Sequence, residues 1–233
     1  MVVDSGSIDE TREIAAECGA RVIENPWPGF AEQKQFAAES AQYEWIFSLD
    51  ADERLSEELK ASIANLRSRN DDQLADGYFI ARRVFYLGRW IRGGGWYPDR
   101  QLRLYRKSRG RWAGAYVHES VRMQPGSRVE TLKGDLLHYP FEDASEHERM
   151  IRERYAPLGA RKMFAAGRRT SRFQLATIGP AIFIRNFILK AGFRDGSVGF
   201  TIARLAAHHA SLKHRLLWEF QNSPDDELQN RSQ

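Results

Sequence analysis

The sequence predicts an α/β domain followed by a helical appendage, and three observations carry that prediction. Along the first part of the chain, short apolar and β-branched runs alternate with helix-period segments, as in a sheet with helices laid on it. From residue 77 to 138 the runs become strand-like and rich in aromatics. From Ala144 to about Trp218 only helical patterns remain. The expected division is residues 1–143 as one domain, 144–222 as a helical region, and 223–233 as a polar, disordered tail.

Each element has its own warrant. Val2-Val3 reads as a strand end, and Asp4-Ser5-Gly6-Ser7 as turn chemistry. Ser7 or Asp9 is placed to cap the next helix, with Ile14, Ala15 and Cys18 on one face and Gly19 as its stop. Arg21-Val22-Ile23 starts a short strand, residues 30–43 read as a helix, and Trp45–Leu49 is a third strand. In 55–68, Leu55, Leu59, Ile63 and Leu66 recur at spacings of four, four and three, which marks an amphipathic helix. Strands follow at 77–91 and 100–107, separated by a break at Gly93-Gly94-Gly95. Two more short strands are expected in 116–138, around a turn at Pro125-Gly126. The helical region is expected to break at Gly167, Pro180 and Gly192–Gly199.

Bulk properties bound the function. The chain has 233 residues, 42% hydrophobic and 28% charged, which suits one large globular domain with an appendage. The formal charge of +4 is too small to argue for nucleic acid, and no nucleic-acid partner is expected. Its placement is informative, because Arg and Lys crowd into 82–112 and 149–215. The single cysteine, Cys18, excludes an internal disulfide and reads as a small buried apolar residue. The most apolar stretch, 178–193, is interrupted by Pro180, Arg185 and Lys190, so it is not an ordinary spanning helix.

The chemistry concentrates in two acidic turns that follow apolar strands, Asp4-Ser-Gly-Ser-Ile-Asp9 and Asp50-Ala-Asp52. In open α/β sheets ligands bind beyond the carboxyl ends of the strands, so both turns are expected at one crevice. The segment Phe47-Ser-Leu-Asp-Ala-Asp-Glu-Arg-Leu55 sets Asp50, Asp52 and Glu53 together after a buried run. Like charges that close need water or a cation between them. A D-x-D turn suits Mg²⁺ or Mn²⁺ shared with a substrate diphosphate. For an isolated D-x-D a solvated, helix-capping loop is the commoner explanation, since short acidic turns often cap helices.

Taken together, Val2-Val-Asp-Ser-Gly-Ser-Ile-Asp9, the helix carrying Lys34, and Trp45-Ile-Phe-Ser-Leu-Asp-Ala-Asp-Glu-Arg-Leu55 resemble the family 2 glycosyltransferases of GT-A fold. The segments 94–107, 117–121 and 136–162 resemble the subgroup that builds lipopolysaccharide core and related bacterial surface glycans, including β-1,4-glucosyltransferases. The resemblance spans roughly residues 2–220 and implies a Rossmann-like nucleotide-sugar domain. It implies an inverting, metal-dependent transfer, with UDP-glucose as the expected donor and a cell-surface glycolipid as the acceptor. Asp4 is then a nucleotide contact, Lys34 a second one, Asp52 the direct metal ligand, and Asp50 a ribose or metal partner.

Glu119 stands where related enzymes place the base, with Asp99 as its rival, and His138 is a late metal ligand by the same likeness. Arg100, Arg103 and Arg106 are candidate phosphate contacts, although their spacing prevents all three from facing one way. Trp96 and Tyr97 fit sugar stacking or core packing, and His118 a local hydrogen bond.

Family members normally carry a strand, an Asn-Glu turn and a helix before the position of Met1, so the first βα unit is expected to be missing. Residues 173–193 and 198–220 read as basic amphipathic helices, which implies a peripheral place on the cytoplasmic side of an inner membrane. A helical lid or a dimer contact would look the same. Two rival functions stay open, a non-catalytic fragment that keeps its membrane- or partner-binding helices, and a nucleotidyltransferase. The latter usually shows a Gly-rich phosphate loop near its first strand, and none is seen.

Overall fold

The computed structural model describes residues 1–114 and 119–223. The elements in the first half are β1 (Val2–Asp4), α1 (Thr11–Glu17), β2 (Val22–Glu24), α2 (Phe30–Ser40), β3 (Trp45–Phe47), β4 (Glu53–Leu55) and α3 (Glu57–Arg67). Then come β5 (Gly77–Tyr86), β6 (Arg89–Trp90), β7 (Asp99–Arg106), β8 (Gly110–Ala113), β9 (Ser120–Met123) and β10 (Val129–His138). The rest is helical: α4 (Ala144–Met150), α5 (Ala156–Ala165), α6 (Arg172–Ile184) and α7 (Gly196–Asn222), with wide π-type turns at Ile151–Tyr155 and Arg185–Leu189.

The backbone divides into two compact units. The first is Met1–Arg82 with Arg100–Leu136; the second is Arg83–Asp99 with Leu137–Gln233. The sequence expectation cut the chain at 143/144 and 222/223; here the segment 83–99 groups with the C-terminal helices.

The main sheet runs β3-β7-β5-β10-β4, with β6 hairpinned onto β5. β3 and β7 are antiparallel, with Ile46 opposite Tyr105. β1 and β2 form a separate parallel pair. The strands expected around Pro125-Gly126 exist but do not pair with each other: β9 pairs with β8 and β10 enters the main sheet. The strand expected at 77–91 is a hairpin, because Leu87 and Gly88 both take positive φ, 46° and 81°, the twist a two-residue turn requires.

Apolar residues on α2, β3, β7, β8 and β9 form one core of the first unit: Ala38, Ile46, Leu102, Tyr105, Trp112 and Val121. Helix α3 packs its expected stripe, with Leu59 fully buried against Ile80 and Leu136. Ser56 caps α3 by accepting from Leu59 N at 3.2 Å, and Asp135 N also donates to its hydroxyl at 2.9 Å. Gly134 permits that approach, since a Cβ there would lie 2.3 Å from Leu59 N. Helix α1 departs from expectation: Ile14 and Cys18 are exposed, not a buried face. Seven residues over two three-residue strands leave too little sheet to cover them.

In the second unit, α7 packs along α5 and α6. Pro180 lies inside α6 and does not end it, and Gly199 lies inside α7. Gly199 lets the Gly192–Asp195 turn close tightly, since a Cβ there would meet Gly192 O at 1.9 Å. Asp195 is 0% exposed and accepts from Gly93 N at 2.6 Å and Arg92 N at 3.1 Å. Tyr86, Trp96, Phe141 and His147 form an aromatic cluster in which His147 stacks on Phe141 at 4.2 Å. Burial first, then His209, pulls His147 down to about 4, so it is neutral.

Candidate active site

β3 delivers the chain into the acidic turn. Ser48 N donates to Arg103 O at 2.8 Å, extending the β3–β7 ladder by one residue. The chain then reverses: Glu53 N donates to Asp50 O at 3.0 Å, and Asp50 N donates to Glu53 Oε2 at 3.1 Å. This closed turn draws Glu53 inward, to 4% exposed, and leaves Asp52 exposed at the tip. Its alternation explains the quoted acids: positions 50 and 53 turn toward the fold and 52 away.

Arg103, Arg82 and Lys34 meet these carboxylates. Arg103 on β7, 3% exposed, places Nη2 2.9 Å from Asp50 Oδ2 and 2.8 Å from Glu53 Oε1. Arg82 on β5 lies 3.7 Å from Glu53 Oε1. Lys34 on α2 places Nζ 3.0 Å from Asp50 Oδ1 and 3.0 Å from Glu119 Oε1, with the Trp112 ring centroid at 4.9 Å. Burial alone would raise Asp50, but the Arg103 guanidinium and then Lys34 outweigh it and hold the carboxyl at about 2. Burial likewise opposes the Arg103 charge, and Asp50 with Glu53 overcomes it, raising its affinity for the proton. The cation that three crowded acids demanded is thus supplied in part by the chain itself.

Glu119 is the residue just before β9. Its Oε1 is engaged by Lys34, while its Oε2 is buried without a hydrogen-bond partner among the described residues. Arg103 Nε and Nη1 are in the same condition. A buried carboxylate oxygen with a lone pair uncommitted is placed to accept a proton.

The first acidic turn joins the same helix. Asp4, 6% exposed, accepts from Gly6 N at 3.0 Å, Ser7 N at 2.9 Å and the Ser7 hydroxyl, and these bonds hold it below the usual carboxylate range. Ser5 Oγ accepts from Gln33 Nε2 at 2.7 Å, so neighbouring residues of α2 touch both turns. Asp4 shapes its loop, and the expected Ser7 or Asp9 cap is replaced by an Asp9–Thr11 contact, with no side-chain cap on α1.

The remaining candidates sit elsewhere. Trp96 packs on Tyr86 at 5.5 Å within the second unit. Asp99 falls in the second unit and Glu119 in the first. Arg100 is exposed on β7, and Arg106 pairs with Asp71 at 2.7 Å. His118 lies outside the described residues. Glu53 and Arg82 belong to the network and were not among the candidates; the crowding of Asp50, Asp52 and Glu53 was the available signal.

A metal site can be tested against these contacts. Among the described residues no group of three or more His, Cys, Asp or Glu forms a cage, and His138, at the end of β10, joins none. Mg²⁺ and Mn²⁺ need less: one or two carboxylates, with water and substrate phosphates completing the shell. Exposed Asp52 beside Asp50 fits that donor set.

Residues 1–124 match the family model described as glycosyl transferase family 2. The chain is 32% identical to the lipopolysaccharide core biosynthesis glycosyltransferase LpsC of Rhizobium meliloti (strain 1021), over 91% of this chain and 79% of that protein. It is 29% identical to an uncharacterised glycosyltransferase of Rickettsia typhi, over 86% of this chain and 70% of that one. A Rickettsia felis counterpart is 28% identical, over 89% and 75%.

Proposed function

The chain belongs to glycosyl transferase family 2 and is a glycosyltransferase; from that premise we propose an inverting enzyme that moves a sugar from a nucleoside-diphosphate donor to a lipopolysaccharide-core or similar glycolipid. UDP-glucose is the donor proposed. The name of the Rhizobium relative supports the acceptor class. The observation that carries the reading is Lys34, whose ammonium lies 3.0 Å from both the D-x-D residue Asp50 and the candidate base Glu119.

The residues then divide the work. Asp52, with Asp50 as its neighbour, would hold a divalent ion, which when bound offsets charge on the diphosphate leaving group. Asp50 orders Lys34 and Arg103, whose remaining donors suit phosphate oxygens. Glu119 takes the proton of the acceptor hydroxyl as that oxygen attacks the anomeric carbon; the bond to the nucleoside diphosphate breaks as the new glycosidic bond forms. Lys34 engages Glu119 Oε1 and leaves Oε2 for that hydroxyl. The nucleotidyltransferase alternative does not survive family membership.

The test is transfer itself. Purified chain, Mn²⁺, a panel of UDP-sugars and a core glycolipid should give a mass-shifted acceptor. Glu119→Gln should lower kcat by about 10²–10⁴-fold. A folded chain that transfers no sugar from the panel, or a Glu119→Gln variant at the parental rate, would contradict the proposal.

A further inference from the structure

The second unit carries a surface of different character. Beyond Arg172, Gln174 and Thr177 helix α6 is apolar, yet only Gly179 of its residues is buried. Phe173, Ile184, Ile188, Leu189 and Phe193 are 76%, 50%, 55%, 75% and 55% exposed, along α6 and the turn that follows it. A helix on a water-facing surface ordinarily turns polar residues outward. This turn is firmly built: Phe187 packs on Phe183 at 5.4 Å and on Phe200 at 5.8 Å. Asp195 anchors its far side to the amides of Arg92 and Gly93.

Charge gives the surface a sign. Between Glu153 and Glu219 the sequence holds twelve Arg and Lys and a single acid, Asp195. Asp195 is 0% exposed, so no carboxylate of this segment faces outward. Arg185, Lys190 and Arg194 are exposed beside the apolar residues of the turn. A basic surface alone would suit nucleic acid, and an apolar one alone a second copy of the chain. An apolar turn among cations suits the interface of an anionic bilayer, where apolar groups enter the acyl boundary and cations meet phosphate. Among the described residues no single helix is long and apolar enough to cross a membrane; Arg172–Leu189 and Gly192–Asn222 qualify only as a pair bent by 72°.

We propose that the α6–α7 turn docks on anionic lipid bilayers, with Ile184, Ile188, Leu189 and Phe193 below the headgroups and Arg185, Lys190 and Arg194 at phosphate depth. The proposal deepens the glycolipid-acceptor reading and rests on it for its purpose, since an acceptor held in a bilayer must be met at the surface.

Flotation of the full chain with phosphatidylcholine vesicles, with and without phosphatidylglycerol, tests it. Binding should require the anionic lipid and weaken as salt rises. Leu189→Asp/Phe193→Asp and Lys190→Glu/Arg194→Glu should each lower the partition coefficient at least about tenfold. Circular dichroism and UDP titration of each preparation check folding and the nucleotide site separately. A chain that floats but does not bind UDP would uphold the docking while sinking the UDP-sugar donor reading. Four results would overturn the docking: a folded chain that never floats, both variants floating like the parent, a dimer undone by Leu189→Asp/Phe193→Asp without vesicle binding, or preference for an RNA oligonucleotide over the vesicles.

Discussion

Replacing Arg103 with Met tests whether the acidic network is held by the chain's own cations. Met keeps much of the stem and removes the charge. Glu53, 4% exposed, then loses the guanidinium 2.8 Å away and keeps Arg82 at 3.7 Å and the Asp50 amide at 3.1 Å. Asp50 loses a partner at 2.9 Å and keeps Lys34. Removing one member of a buried ion pair costs about 3–5 kcal/mol. At about 2–4 °C per kcal/mol for a chain of this size, the melting temperature should fall by about 6–20 °C.

The pH dependence follows from Asp50. Its folded value of about 2 lies below its ordinary 3.8. A depressed carboxylate contributes stability above its unfolded pKa and loses it as pH falls through its folded pKa. That contribution is about 2–3 kcal/mol and should be complete at pH 5 and fading between pH 4 and 2. Urea unfolding followed by tryptophan fluorescence should therefore show a parent–variant gap that is full at pH 7 and 5 and narrows below pH 4. A gap under about 1 kcal/mol at pH 7, or one that stays constant down to pH 2.5, would refute the reasoning.

Two further outcomes are expected. Gly134→Ala, at φ 89° with a Cβ 2.3 Å from Leu59 N, should destabilise by about 2–4 kcal/mol in thermal melts, and clearly more than Gly126→Ala, at φ 84° in open space. Equal losses would show that the α3–β10 approach is not tight. His147, neutral in the fold and held at about 4, binds its proton more readily when unfolded; stability should fall as pH drops from 6.5 to 4, by up to about 3 kcal/mol. His147→Phe should make that slope shallower in urea titrations, and an unchanged slope would assign it to other groups.

Much of the site was legible because its chemistry is local. Asp50 and Asp52 announce themselves by crowding after an apolar strand, whereas Lys34 was singled out by the resemblance. The resemblance to family 2 enzymes singled out Glu119. What joins these residues is not local. Arg103 looked like one of three equivalent basic residues on a strand. Only the pairing of β7 beside β3 shows that it turns into the fold while Arg100 faces solvent. Glu53 was given no role beyond crowding with Asp50 and Asp52, and the hydrogen bond from Asp50 N folds it inward.

The secondary structure shows the same split. Helices with a periodic apolar stripe, such as α3, were plain from spacing. The hairpin at Leu87-Gly88 was hidden, because a leucine at positive φ carries no turn signal. Pro180 was expected to stop a helix that continues through it. Cys18 was expected inside, and burial depends on what covers a helix, which its own sequence does not state.

The central claim is a nucleotide-sugar site at the Asp50–Asp52 turn. Calorimetric titration of UDP into the purified chain, with and without Mn²⁺ and beside Asp52→Ala, tests it most directly. The account predicts binding that strengthens with Mn²⁺ and loses that metal dependence in the variant. No UDP binding by the folded chain, or a metal dependence untouched by Asp52→Ala, would contradict it.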